Sequence, residues 1–151
     1  MVTAFDLTFV LCAVIFNLLI MGIYITSRLE RVKLRTLLGK ITIGLGIPLS
    51  VVLVSYIIIG KPVRTLVYLA VILFYLIVEL VLDFILKIEF REKPILHVPY
   101  IILFYAACFG FIAVSFSIDT SWGYAVSVTF WGVLASLIYL LRGKKKTTSA
   151  H

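Results

Sequence analysis

Two carboxylates fall inside a continuously apolar stretch of this 151-residue chain, which reads Tyr75-Leu76-Ile77-Val78-Glu79-Leu80-Val81-Leu82-Asp83-Phe84-Ile85-Leu86-Lys87. In a helix, the spacing of four stacks Tyr75, Glu79, Asp83 and Lys87 along one face. With Lys87 at the edge of a membrane, Asp83 lies roughly 6 Å and Glu79 roughly 12 Å inward, at about 1.5 Å per residue. A carboxylate at that depth costs on the order of 3 kcal/mol, so it normally faces protein or water and has a partner. One reading is a proton- or cation-binding site on a permeation or coupling path. The other is structural: Asp83 pairs with Lys87, and Glu79 bonds to Asn17, Tyr75 or a hydroxyl on another helix.

The remaining candidates are weaker in kind. Asn17 is the one amide in an apolar run, near the middle of the first; it can reach Glu79 at similar depth or tie two helices together. Gly44-Leu45-Gly46-Ile47-Pro48 interrupts the second run. Pro48 removes a backbone hydrogen bond and is expected to kink the helix, with Gly44 and Gly46 allowing hinging or close approach. His97, beside Pro99 and Tyr100, stands at the start of the fourth run, where an imidazole with Asp83 and Glu79 has the donors for a metal or for acid–base work on a lipid headgroup. No metal-ligand spacing or nucleophile motif supports that chemistry, and an interfacial histidine without a reaction is the simpler account. Cys12 and Cys108 each sit in an apolar run without a second cysteine nearby, as small packing residues do. No cofactor motif is present, the identity of any metal is left open, and the chain reads away from an enzyme.

These residues are positioned by elements that composition makes plain. The chain is 63% hydrophobic and 14% charged, against about 45–50% and about 25% in soluble domains. So small a water-soluble protein lacks the interior to hide that much apolar surface. Spanning about 30 Å of hydrocarbon takes roughly 20 apolar residues. Five stretches qualify, at about 7–26, 41–60, 65–86, 95–118 and 120–141. Continuous apolarity argues for helices, because a barrel strand is about 10 residues of alternating polarity. The expectation is an all-α polytopic membrane protein, a single bundle of five transmembrane helices with a basic tail over 142–151. No removable leader is expected, since the first run lacks a basic lead and a polar chain after a cleavage site.

Charge sets the expected orientation. Of the 14 Lys and Arg residues, only Lys61 and Arg64 fall on the even-numbered side of the spans. The others lie in the first loop (Arg28, Arg31, Lys33, Arg35, Lys40), the third loop (Lys87, Arg91, Lys93) and the tail (Arg142, Lys144, Lys145, Lys146). Such bias places the N-terminus outside and the C-terminus in the cytoplasm. The net charge of +7 is therefore read as a topology signal and as contact with anionic lipids at the cytoplasmic face, not as a nucleic-acid surface. The first loop is expected either as a short basic helix on the headgroups or as a solvated linker. Small residues one turn apart, Ala106 and Gly110, Gly123 and Ser127, Gly132 and Ser136, suit close helix contacts within the bundle or between subunits.

Three function classes follow. The first is a small multi-pass protein of the cell membrane, a proton- or cation-coupled transporter or channel component using the acidic pair, for which a homo-oligomer or a larger complex is expected because five helices barely surround a path. The second is a non-catalytic subunit or assembly partner of a membrane complex. The third is a lipid-modifying enzyme at the cytoplasmic leaflet using Glu79, Asp83 and His97.

Overall fold

The first helix starts where the sequence offers a cap. Thr3 accepts the backbone N–H of Asp6 at 3.2 Å, and Asp6 in return accepts the backbone N–H of Thr3 at 2.9 Å. This reciprocal capping box satisfies two amides that have no partner inside the helix. The computed structural model describes residues 2–85 and 94–148, and the side chains of all of these but 84, 94–97 and 143–148. Within them the chain is helical, ordered α1 (Ala4–Arg28), α2 (Val32–Gly44), α3 (Gly46–Ile59), α4 (Val63–Glu79), a π-helical turn (Leu80–Ile85), α5 (Pro94–Ile118) and α6 (Thr120–Thr148).

Five of the helical stretches are long and apolar enough to cross a membrane: Ala4–Arg28, Val32–Ile59, Val63–Asp83, Val98–Ile118 and Thr120–Arg142. The five-span all-α architecture is thus as the hydropathy requires. Two details differ from it. The first loop shrinks to a few residues, because its basic segment is the beginning of α2 and runs on through α3 as one span. Likewise α6 continues past 141 to Thr148.

The α2–α3 junction is at Leu45, immediately before Gly46-Ile47-Pro48. Pro48 has no N–H to give the carbonyl of Gly44, one turn earlier, so the helical ladder breaks at that point. The amide of Leu45 instead reaches both Ile41 and Thr42 carbonyls at 3.2 Å. At its far end α3 closes on Gly60, whose φ of 76° is left-handed. Lys61 N–H then donates to the Tyr56 carbonyl at 3.0 Å, the Schellman closure that glycine permits. Pro62 follows and α4 begins at once. Between α1 and α2 the same turn is made by Glu30, with a φ of 56°.

Consecutive spans pack side by side, and the ring closes with α1 against α6; α1 also touches α5 across the middle. Rings fill the space inside. Phe9 meets Phe111 at 5.6 Å between centroids, Phe111 meets Phe16 at 4.9 Å, and Phe16 meets Tyr75 at 6.0 Å and Phe104 at 6.4 Å. The outward faces carry exposed Ile, Val and Phe such as Ile47, Ile58, Phe74 and Trp131, as a lipid-facing surface requires. Small residues bring helices close: a Cβ on Gly110 would touch Ile72 and the Tyr68 carbonyl of α4 at 3.4 Å, and one on Gly132 would press on Met21 of α1 at 2.9 Å.

Candidate intramembrane site

Antiparallel threading gathers the C-terminal ends of α1 and α6, the start of α2 and the π turn at one end of the bundle, with most of the described basic residues. At this basic end a cavity of about 500 Å³ enters the bundle. Its walls are Ile20, Ile23, Tyr24 and Ser27 of α1, Tyr100, Ile101, Phe104 and Tyr105 of α5, and Leu137, Leu140 and Leu141 of α6; Arg35 of α2 and Tyr75 and Glu79 of α4 complete it.

Glu79 is 6% exposed. Its Oε2 accepts the Tyr100 hydroxyl at 2.5 Å and lies 3.4 Å from the Tyr75 hydroxyl, and the two phenol oxygens are 3.2 Å apart. Tyr100 commits its one proton to the carboxylate. The single Tyr75 proton then has two acceptors, Tyr100 and Glu79, so the three side chains form a connected chain of polar groups in a low-dielectric interior. The ring of Tyr75 is fully buried between Phe16, Phe104 and Tyr100. Below it the aromatic column from Phe104 to Phe9 occupies the middle of the bundle.

Of the expected stack of four, Tyr75 and Glu79 are one α-turn apart and in contact. Immediately after Glu79 the backbone widens into the π turn, which adds a residue to that turn. Asp83 is half-buried there and is not among the described residues lining the cavity. Lys87 lies outside the described residues. Asn17 is directed away from Glu79: its Nδ2 donates to Thr129 Oγ1 at 2.8 Å and to the Val126 carbonyl at 3.3 Å, joining α1 to α6. His97 is on the first turns of α5, but its side chain lies outside the described residues. Gly44, Gly46 and Pro48 form the break between α2 and α3 and do not line the cavity. Among the described residues no three His, Cys, Asp or Glu side chains gather as a metal site would need.

Reading the chain alone misses half of the polar architecture. Tyr100 stands out in sequence only as an interfacial aromatic, yet its hydroxyl donates to Glu79 at 2.5 Å. Asp6, the single acid before the first apolar run, is 1% exposed and heads a second cluster at the opposite end. There its Oδ1 accepts the Tyr56 hydroxyl at 2.7 Å and the Lys61 ammonium at 3.1 Å. The Thr3-x-x-Asp6 spacing explains the cap; nothing local in the sequence announces the meeting of Asp6 with residues fifty positions later. No family model matches the chain, and no curated protein and no solved structure is detectably similar to it.

Proposed function

We propose that this protein is a small multi-pass transporter component of the cell membrane that couples movement of a cation to a proton at Glu79, with its N-terminus outside and its C-terminus in the cytoplasm. The observation that carries this reading is a buried carboxylate, held by two phenols, that lines a cavity of organic-molecule size near the basic end of the bundle. A carboxylate kept for packing alone would be surrounded by protein on every side; this one borders about 500 Å³ of space. Protons and cations compete for such a group, and exchange of one for the other is the elementary step of coupling.

Closure on the opposite side supports a carrier over a channel. The aromatic column fills the axis, and the Asp6–Tyr56–Lys61 cluster ties the start of α1 to the α3–α4 turn. A carrier holds one gate shut while the other is open, and the break at Leu45 gives the second span a place to bend between the two. The acidic function then rests on Glu79, Tyr75 and Tyr100, with Asp83 in the π turn. Assembly as a homo-oligomer or with another subunit, and contact of the α2 and α6 basic residues with anionic lipids, belong to the same proposal.

The test is proton flux in proteoliposomes loaded with a pH-sensitive dye, driven by an outward gradient of potassium, sodium or an organic cation in turn. Wild-type vesicles are expected to acidify faster than empty ones, and Glu79→Gln to return to the empty-vesicle rate. Equal flux with and without the protein, or an unaltered rate in Glu79→Gln, removes this function.

A further inference from the structure

We propose that the Glu79 cavity is a binding site for a lipophilic organic cation, a molecule with one positive centre and an apolar, preferably aromatic, body. The inference rests on the transporter reading for the use of the site, and on the cavity itself for the class of ligand.

Size comes first. About 500 Å³ is far more than a bare proton or a metal ion occupies and lies within the roughly 300–1,000 Å³ of pockets that take small organic molecules. A dehydrated inorganic cation would also need several oxygen ligands around it, whereas the inner end offers one carboxylate and two phenols, already bonded to one another. The walls have a different chemistry. Aliphatic side chains of α1 and α6 (Ile20, Ile23, Leu137 and Leu140) face aromatic rings of α5. Such walls attract apolar bodies and repel hydrated ions.

Charge selects the sign. Glu79 is the acidic group among the described lining residues, and its Oε2 meets the hydroxyl ends of Tyr75 and Tyr100, whose ring centroids are 5.9 Å apart. A carboxylate together with tyrosine rings attracts an ammonium or phosphonium centre twice, by charge and by the ring quadrupole. A centre that cannot donate hydrogen bonds leaves the Tyr75–Tyr100–Glu79 contacts intact, so a quaternary cation fits at least as well as an amine. Arg35, the lining cation, comes from α2 at the basic end. It repels a ligand's charge at the entrance and attracts an anion, so it separates the two possible classes cleanly.

The experiment is equilibrium binding of radiolabelled tetraphenylphosphonium to the full-length protein in detergent, with neutral triphenylphosphine oxide as competitor. Saturable binding is expected in the wild type, with triphenylphosphine oxide a far weaker competitor than unlabelled tetraphenylphosphonium. Glu79→Gln should weaken binding by at least about tenfold, as loss of a charged contact does. Tyr100→Phe, which keeps the ring, should bind better than Tyr100→Ala, and Arg35→Gln should bind as well as the wild type or better. Equal competition by the neutral compound in the wild type overturns the ligand class without depending on any variant's folding. So does loss of binding in Arg35→Gln, which would mark an anion-anchored ligand. If tetraphenylphosphonium fails to bind while proton flux still depends on Glu79, the ligand class falls and the transporter reading stands. If it binds through Glu79 in a protein without flux, the ligand class stands and the transporter reading falls.

Discussion

Replacing Asp6 with alanine should be the most damaging single polar substitution at the end of the bundle away from the cavity. Four donors converge on this carboxylate: the Thr3 amide and hydroxyl, the Tyr56 hydroxyl and the Lys61 ammonium. Their losses differ. The Thr3 amide loses half of a capping box, worth about 1 kcal/mol. Tyr56 is fully buried, and its hydroxyl left without a partner costs about 1–3 kcal/mol. Lys61 is 27% exposed, so it can turn to water and contributes no more than about 1 kcal/mol. Together these come to about 3 kcal/mol, reduced somewhat because an unfolded chain in detergent also finds polar partners. Reversible unfolding in mixed micelles with increasing SDS, followed by circular dichroism, measures the difference. A double-mutant cycle with Tyr56→Phe isolates the buried part, for which a coupling of about 1–2 kcal/mol is expected. An Asp6→Ala protein within about 0.5 kcal/mol of the wild type, or a cycle without coupling to Tyr56, would refute this account of the cluster.

Two further substitutions probe packing. Asn17→Ala should lower stability by about 0.6–1.7 kcal/mol, the range for polar contacts between membrane helices, while leaving tetraphenylphosphonium binding unchanged because its partners are on α6; altered binding would link Asn17 to the cavity. Gly123→Ala should cost about 1–3 kcal/mol in the same unfolding assay, since the added Cβ would overlap the Phe116 ring at its base. A neutral effect would mean that the ring, partly exposed, shifts freely.

The contact of Glu79 with Tyr75 was legible because local periodicity places them: one turn of helix sets the pair whatever the rest of the chain does. The π turn at Leu80–Ile85, which holds Asp83, shows the limit of the same rule: it responds to its surroundings, which no i, i+4 count contains. Helix formation in the first loop was legible as one of two alternatives; its continuation into the second span was not. Lys33, Arg35 and Lys40 mark a polar segment, but polarity does not stop a helix, and α2 runs through them into the span until Pro48 removes an amide.

What the sequence by itself determined is the number of spans and their helical form, because in hydrocarbon a peptide group must bond within its own segment and only length and apolarity are needed to see that. Tertiary structure alone decided which side chains meet: Tyr100 with Glu79, Asn17 with Thr129, Asp6 with Tyr56 and Lys61. Those pairings depend on how helices rotate and settle against one another. In lipid that is set by packing of small residues and rings, with little hydrophobic bias to write it into the pattern of any one helix.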